Sequence, residues 1–224
     1  MCGRFALTSS GPRLRERFAL AAAPEDLAPR WNIAPSQEVL VIPNRAERRL
    51  RPARWGLVPH WATDPAIGHR MINARAESLA QRPAFRVPLE RQRCVVPADG
   101  FYEWRRRGRS KQPFHLRARD GAPLAFAGLW DVWRAPDGGR LASCTVVTVP
   151  ANGVVAAIHE RMPAILSPAG LDAWLTPAAA PPAALLPWLT PCPDDWLEAY
   201  PVSPWVNTPD HDGPECLAPV PGEG

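Results

Sequence analysis

The chain has 224 residues, of which 46% are hydrophobic, 26 are basic and 22 are acidic, giving a formal net charge of +4. This length and apolar content can bury a sizeable core, and we expect one domain. No apolar run is long enough to cross a bilayer and the amino terminus lacks the pattern of a secretory signal, so we exclude a membrane or secreted protein and expect a cytoplasmic one.

The cysteines and the basic residues further limit the range of functions that we expect. The five cysteines, at positions 2, 94, 144, 192 and 216, form no CxxC pair and are odd in number, so we expect no zinc site, no disulfide framework and no cofactor. Lys111 is the only lysine, which leaves 25 arginines, whose planar guanidinium suits bidentate contact with phosphate. A GC-rich genome would produce the same bias toward arginine.

Helices are predicted in the first and last thirds of the chain. Ser9 and Ser10 precede Leu14 and Phe18, which lie four residues apart, and this pattern indicates a capped amphipathic helix. A serine and a first-turn proline at 167–168 open a second helix, which continues to about residue 175. Residues 154–158 indicate a third, short helix.

Strands are predicted in the middle of the chain. Five β-branched or aromatic runs, separated by turn residues, cover residues 39–42, 95–104, 113–117, 124–133 and 141–149. The predicted fold class is therefore α+β, as a single domain with a mainly antiparallel sheet. We place the domain at residues 1–212 and a Pro/Gly-rich tail at residues 213–224.

Cys2 carries the most distinctive chemistry of the sequence. Cysteine is small enough for the initiator methionine to be removed, which would leave an α-amine and a thiol on adjacent carbons, with reference pKa values of about 8 and about 8.5. Such an aminothiol condenses with an aldehyde to a Schiff base, and the thiol then closes a five-membered thiazolidine ring. Without further support, Cys2 would be an ordinary terminus.

Six short motifs supply that support. They are Met-Cys-Gly-Arg-Phe at 1–5, Trp-Asn-Ile-Ala-Pro at 31–35, Trp-Gly-Leu-Val-Pro-His-Trp at 55–61, Ile-Asn-Ala-Arg-Ala-Glu at 72–77, Gly-Phe-Tyr-Glu-Trp at 100–104 and His-Glu-Arg-Met-Pro at 159–163. In this order they resemble the SRAP (SOS response-associated peptidase) family from residue 1 to about residue 206. The resemblance implies a barrel-like sheet, a positively charged groove for single-stranded DNA, and a sensor that shields abasic sites through a covalent thiazolidine crosslink.

The resemblance also implies a catalytic set. Cys2 forms the crosslink, Asn73 holds its amine, Glu103 shuttles a proton and His159 assists opening of the sugar ring. The apolar neighbours of Glu103 predict a raised pKa, and a histidine titrates near neutrality. By themselves, Asn73 would be a turn or cap residue, Glu103 a solvated or paired strand residue, and His159 a helix C-cap.

A DNA-binding set follows from the same motifs. Arginines would contact phosphate and tryptophans would stack on bases, as in other sequence-independent single-strand binders. Each arginine alone would be a surface ion-pair residue, and each tryptophan suits the core equally well. The set is Arg4, Asn32, Trp55, Trp61, Arg75, Trp104 and Arg161, with Trp31 as a further candidate, and Asn32 and Pro35 would also shape the loop beside Cys2. Trp205 departs from the family pattern, which has a small or basic residue there.

Two other functions fit these residues. Cys2, His159 and Asn73 could form a cysteine peptidase, including one that removes Met1, or the chain could bind single-stranded DNA passively. A peptidase uses only the thiol, whereas aldehyde capture uses both amine and thiol and explains why the cysteine follows Met1. We expect a metal-free, nucleoid-associated monomer with weak abasic-site lyase activity, whose partners are abasic single-stranded DNA and replication-fork proteins.

Overall fold

Residues 2–220, the part of the chain that the computed structural model describes, contain twelve strands and five α-helices. The strands are β1 (Phe5–Leu7), β2 (Arg30–Ile33), β3 (Glu38–Pro43), β4 (Arg51–Trp55), β5 (Asn73–Arg75), β6 (Arg93–Ala98), β7 (Gly100–Arg107), β8 (Ser110–Ala118), β9 (Leu124–Arg134), β10 (Arg140–Pro150), β11 (Arg161–Pro163) and β12 (Leu197–Pro201). The helices are α1 (Gly11–Phe18), α2 (Pro83–Arg91), α3 (Gly153–Ala156), α4 (Pro168–Trp174) and α5 (Pro182–Leu185).

Five strands close into a barrel. They are hydrogen-bonded in the order β10, β4, β3, β6 and β9, and β9 pairs back onto β10. All of these pairings are antiparallel except that of β4 with β10. Strand β6 is buried along its whole length, with α2 and α4 packed against it. The predicted α+β class with a barrel-like, mainly antiparallel sheet is confirmed.

A second antiparallel sheet, in the order β12, β8, β7, β1 and β2, lies against the barrel. Phe5 of β1 connects the two sheets, because its ring packs edge-on against the rings of Trp55 in β4 and Phe126 in β9. The ring centroids are 5.1 Å and 6.2 Å apart, respectively. β1 pairs with β7 on one side and β2 on the other. The amino-terminal strand is therefore an interior strand of its sheet.

The predicted helices at both ends of the chain are confirmed. Helix α1 begins after Ser10 and buries Leu14 and Phe18, and helix α4 begins after Ser167, whose side chain accepts a hydrogen bond from the Gly170 N–H. The restriction of helices to the first and last thirds is wrong, because α2 lies in the middle third. Its sequence contains two prolines, and proline inside a segment argues against a helix. The helix is nevertheless formed, because one of its faces is buried in the core.

The predicted strand at 95–104 is wrong in one respect: it is two strands, β6 and β7, that belong to different sheets. The two strands are separated at Asp99, whose carboxylate accepts hydrogen bonds from the N–H groups of Thr8 and Ser9. A side chain at Gly100 would not fit, since a Cβ there would lie 2.3 Å from Nε2 of His115.

Two predictions concern residues at the ends of the chain. Met1 and residues 221–224 lie outside the described residues, so removal of Met1 stays a prediction. Within the segment predicted as a tail, residues Pro214–Leu217 form a 3₁₀ helix. There Cys216 is buried against Ala6 and Tyr102. No helix among residues 2–220 is long and apolar enough to span a membrane.

Candidate active site around Cys2

Cys2 lies three residues before the first residue of β1, beside the middle of β7. The register is set by Phe5 opposite Phe101 and by the Tyr102 N–H, which donates to the Arg4 carbonyl at 2.9 Å. The Cys2 side chain is fully buried. Burial raises the pKa of the Cys2 thiol, and the Glu103 carboxylate raises it further. The reference value assumed from the sequence therefore does not hold, and the thiol stays protonated at neutral pH.

Asn73 connects the barrel to this terminus. It begins β5, which pairs in parallel with β10 and places Asn73 opposite Val146. The Asn73 Nδ2 donates to the Cys2 carbonyl at 2.8 Å. Its Oδ1 is buried and has no hydrogen-bond partner among the described residues. Asn73 is thus a strand residue and not a turn or cap, and its amide contacts the carbonyl of Cys2, where the sequence predicted contact with the amine.

Glu103 is buried in β7, opposite Phe114 of β8, with 3% of its surface exposed. Burial raises its pKa, and the charge of a protonated His159 acts in the opposite direction. The raised pKa predicted from the apolar neighbours is confirmed. A carboxyl group whose pKa is raised in this way is suited to give and take a proton.

His159 lies on the loop between α3 and β11, and its backbone N–H donates to the Val155 carbonyl of α3 at 2.9 Å. The Arg161 N–H donates to its Nδ1 at 3.0 Å. Nδ1 also lies 3.2 Å from the Arg161 carbonyl oxygen, so both polar backbone groups of Arg161 contact this nitrogen. The charge of a protonated His159 lowers the pKa of Glu103, so the two groups interact electrostatically.

Arg161 carries an ion pair that the sequence analysis did not identify. Its guanidinium contacts both carboxylate oxygens of Glu77, at 2.6 and 3.0 Å, and donates to the Thr148 carbonyl at 2.7 Å. The hydrogen bond from Arg161 holds the pKa of Glu77 below its usual range. This indicates a positioning role for Arg161, whose predicted contact with DNA phosphate stays a prediction. The only sequence signal for Glu77 is its place in the motif at 72–77.

Arg4 and Asn32 fasten the carboxy-terminal part of the chain beside Cys2. Arg4 Nη1 donates to the Asn32 Oδ1 and to the Val206 carbonyl, each at 2.8 Å. Asn32 Nδ2 lies within hydrogen-bond distance of the carbonyls of Val206, Thr208 and His211. Asn32 is fully buried, so its predicted contact with DNA is wrong, while its predicted role in shaping the loop beside Cys2 fits. We name residues 203–212 the C-terminal clasp.

The tryptophans of the predicted DNA-binding set divide by burial. Trp55 is completely buried and its Nε1 donates to the Ile72 carbonyl, so its predicted stacking on bases is wrong. Trp61 is 51% exposed. Trp31 is half-buried. Trp104 is also half-buried, and its Nε1 donates to Asn207 Oδ1 of the clasp at 2.7 Å. Arg75 is exposed.

Within residues 2–220, no group of three or more His, Cys, Asp or Glu side chains is arranged to hold a metal ion. The Cys2 carbonyl is bonded by the Asn73 amide, and the Glu103 carboxyl group interacts electrostatically with the Cys2 thiol and with the His159 imidazole. These groups can move protons around an electrophilic carbon at the amino terminus.

Known proteins resemble this chain in sequence and in fold. The sequence profile of the family described as SOS response associated peptidase (SRAP) matches residues 1–209. The chain is 43% identical over 221 residues to "Abasic site processing protein YoqW" of Bacillus subtilis (strain 168), covering 97% of this chain and 99% of that protein. It is 33% identical over 264 residues to "Abasic site processing protein HMCES" of Gallus gallus, covering 98% of this chain and 78% of that protein.

Two crystal structures have the same fold. One, of a protein from Bacteroides thetaiotaomicron, superposes with a TM-score of 0.88 at 22% identity and covers 98% of this chain and 100% of its own. The other, of a protein from Bordetella bronchiseptica, superposes with a TM-score of 0.77 at 29% identity and covers 90% of this chain and 100% of its own.

Proposed function

Since this chain belongs to the SRAP family, we propose that it processes abasic sites in single-stranded DNA by forming a thiazolidine crosslink through Cys2. The names of its relatives support abasic-site DNA as the substrate. The observation that supports the proposal is the hydrogen bond from Asn73 to the Cys2 carbonyl, together with the electrostatic coupling of Glu103 to the Cys2 thiol and to His159. In that arrangement the aminothiol of a processed terminus would have a proton donor, an acceptor and an orienting amide at hand.

The first step is imine formation. The abasic sugar is mostly a closed hemiacetal, and proton transfer by the His159 imidazole helps it to open to the aldehyde. With Met1 removed, the α-amine of Cys2 attacks the aldehyde carbon. The carbinolamine oxygen takes one proton from the amine and one from the Glu103 carboxyl group, whose pKa is raised, and leaves as water; the proton that remains on the iminium nitrogen returns to Glu103. The acceptor that we assign to the α-amine is Oδ1 of Asn73, whose Nδ2 already holds the Cys2 carbonyl.

The second step is ring closure. The Cys2 sulfur bonds to the imine carbon while its proton passes through Glu103 to the nitrogen, so the S–H adds across the C=N bond and nothing leaves. Because burial keeps the thiol protonated, the amine reacts first and the thiol follows. A cysteine peptidase would need a thiolate as its first nucleophile, and this environment disfavours a thiolate. Removal of Met1 by the chain itself and weak lyase activity remain predictions.

The test is incubation with abasic single-stranded DNA, followed by a denaturing gel and the mass of the amino-terminal peptide. We expect a covalent band for protein that lacks Met1. A shift seen only in a native gel would instead support passive binding. Retention of Met1 in crosslinked protein would contradict the mechanism, because the α-amine would be blocked.

Cys2→Ser separates the two steps. The α-amine survives, so borohydride should trap a Schiff base, whereas little stable crosslink should persist without the reductant because a hydroxyl closes the ring less favourably. The open imine acidifies the neighbouring sugar carbon, so strand cleavage by β-elimination should increase. Lys111→Arg is the control, since Lys111 carries the only side-chain amine. Trapping that vanished with Lys111 but survived blocking of the terminal amine would overturn the proposal.

A further inference from the structure

Arg105 lies on the same face of β7 as Glu103. Side chains alternate along a strand, so residues two positions apart point to the same side and are separated by about 7 Å. Phe114 of β8 is paired directly with Glu103, and the guanidinium carbon of Arg105 lies 4.6 Å from the centre of the Phe114 ring. The guanidinium is therefore on the side of the sheet where the Glu103 carboxylate acts on the Cys2 thiol.

The guanidinium of Arg105 has no anionic partner within residues 2–220. Its Nε is buried and lacks a hydrogen-bond acceptor there, and none of the ion pairs of the described residues includes it. A buried donor without an acceptor lowers the stability of the fold, and a guanidinium is always charged. The residue is only half-buried, so a ligand from solvent can reach it. Arg105 is therefore a cation that is available to an external anion.

Arg117 shows the ordinary arrangement of a stacked arginine in this sheet. Its guanidinium carbon lies 5.3 Å from the centre of the Tyr200 ring, and its Nε donates to Glu198 Oε1 at 2.7 Å. Arg117 is three positions after Phe114 on β8, so it points to the opposite face of the sheet. Both arginines stack on an aromatic ring, but only the one remote from the candidate active site is neutralised by a carboxylate.

The charge around Arg105 favours a phosphodiester as this anion. The hairpin that joins β7 to β8 carries five basic residues and no acidic ones between positions 105 and 111. Such a segment attracts the phosphate backbone of a nucleic acid. A guanidinium that lies against a ring keeps its N–H donors in its own plane, where they can form two parallel hydrogen bonds with a phosphate.

We propose that Arg105, stacked on Phe114, binds a phosphate that flanks the abasic sugar and thereby makes Cys2 select a sugar within a DNA strand over a free aldehyde. The proposal rests on the proposed function for the position of the lesion. Because the contact is made to the backbone, it fixes the position of the strand without adding a base preference.

The first measurement is the Kd for single-stranded DNA with tetrahydrofuran in place of the lesion sugar. Arg105→Met should raise the Kd about 10-fold to 100-fold, because a charge-assisted hydrogen bond to phosphate is lost. Methionine still covers the Phe114 ring, so the thermal midpoint should stay close to that of the parent. Arg105→Lys keeps the charge but not the planar donors, and its Kd should be intermediate.

Arg117→Met is the matched control. It makes the same substitution and the same change in net charge at a stacked arginine of the same sheet, but on the opposite face. Its Kd should equal that of the parent. Equal losses for the two methionine variants, or no loss for Arg105→Met, would overturn the proposal.

The second measurement locates the phosphate. Each phosphodiester near the tetrahydrofuran is replaced in turn by an uncharged methylphosphonate, and Kd values are compared for the parent and Arg105→Met. We expect one replacement, next to the tetrahydrofuran, that weakens binding by the parent but not by the variant. Arg117→Met should keep the sensitivity of the parent at that position. If no flanking position behaves in this way, Arg105 does not bind a phosphate beside the lesion.

Capture of a small uncharged aldehyde by Cys2 separates this proposal from the proposed function. The rate should be equal for the parent and Arg105→Met, because such an aldehyde has no phosphate. Slower capture by the variant would assign Arg105 to the proton transfers at Glu103 and contradict a role in strand selection. Failure of capture in the parent would count against the crosslink alone, since the two Kd measurements use DNA that has no aldehyde.

Discussion

Glu103, the proton shuttle of the proposed mechanism, lowers the stability of the folded protein at neutral pH. Its carboxyl group is nearly fully buried, and burial raises its pKa. The folded state therefore binds a proton more tightly than the unfolded state. By linkage, the stability contribution of this group is fully present below the pKa of the unfolded chain and falls as the pH rises toward the pKa of the folded protein. At neutral pH the buried acid is a net cost to stability.

Glu103→Gln should separate these two effects. Crosslink formation and reversal should slow about 100-fold, because a positioned proton shuttle is lost. The Kd for single-stranded DNA that carries a tetrahydrofuran analogue of the abasic site, which has no aldehyde and cannot crosslink, should change little. The thermal midpoint near pH 7 should rise, by the equivalent of about 1 kcal/mol, because a buried ionisable group has been removed. Glu160→Gln is the control, since Glu160 is an exposed carboxylate next to His159. Equal capture rates for Glu103→Gln and parent would leave Glu103 a structural residue only.

His159→Ala tests a different proton transfer. If His159 serves opening of the sugar ring, the variant should capture a cyclic abasic sugar more slowly than the parent. An aldehyde that cannot cyclise should reduce this defect, because the step that needs the imidazole is bypassed. The measurement is the ratio of capture rates for the two substrates in each protein. The same defect with both aldehydes would assign His159 to a later step.

Among structural elements, β5 and β11 depend on each other through one ion pair. Glu77, in the turn that follows β5, binds Arg161 at the start of β11. β5 carries Asn73, and the backbone N–H of Arg161 holds His159. Both strands also pair with β10, in opposite directions. The ion pair therefore joins two catalytic candidates that are 86 residues apart in sequence, at positions 73 and 159.

Glu77→Gln should make the positions of Asn73 and His159 less fixed, although Glu77 itself does not contact the substrate. The half-exposed carboxylate limits the stability loss to about 1 kcal/mol, but it leaves a buried guanidinium poorly paired. We expect capture to slow about tenfold with little change in the Kd for the tetrahydrofuran analogue. The pKa of Glu77 is lower in the folded protein than in the unfolded chain. The ionised carboxylate therefore stabilises the fold at pH values above the pKa of the unfolded chain, and this stabilisation is lost as the pH falls through the pKa of the folded protein. The parent protein should show this loss of stability at low pH, and the Glu77→Gln variant should not.

The matched control is Glu47→Gln, which breaks the exposed pair of Glu47 with Arg49. It should change neither capture nor stability measurably, because exposed ion pairs contribute little. A variant with both Glu77→Gln and Arg161→Met removes the unpaired guanidinium. If that double variant captured abasic DNA at the parental rate, Glu77 would have no positioning role.

The elements also explain what the sequence could and could not predict. The long strands β8, β9 and β10 have β-branched and aromatic runs and were predicted. The shortest strands, such as β1, β5 and β11, have three residues each, too few for any alternation to be recognised. The motif resemblance identified Cys2, Asn73, Glu103 and His159, but not their contacts, since these depend on parallel pairing of β5 with β10. The burial of Trp55 depends on Phe5, fifty residues earlier in the sequence, and no local pattern contains it.

At the scale of the whole molecule, the fold holds its own amino terminus rigidly. Chain termini usually fray, but here β1 is paired on both sides and Phe5 packs against the barrel. Asn73 and Arg4 add hydrogen bonds on either side of the junction. A nucleophile at such a terminus is already oriented, so little conformational entropy is lost when it reacts. In the proposed mechanism, the barrel is the support that holds Cys2 in place.

The charge of the molecule gives the last prediction, which concerns salt. Noncovalent binding of single-stranded DNA should weaken as salt rises, with a slope of log affinity against log salt of about −0.7 for each phosphate contacted. Arg106→Gln and Arg109→Gln, on the exposed β7–β8 hairpin, should each make the slope shallower by about 0.7. Arg13→Gln makes the same change in net charge on α1, which follows the end of β1 remote from Cys2, and should leave the slope unchanged. Capture of a small uncharged aldehyde should not depend on salt in any of these proteins. A slope near zero in the parent, or equal slopes in all variants, would remove the hairpin from the DNA-binding surface and leave the aromatic residues as its main contacts.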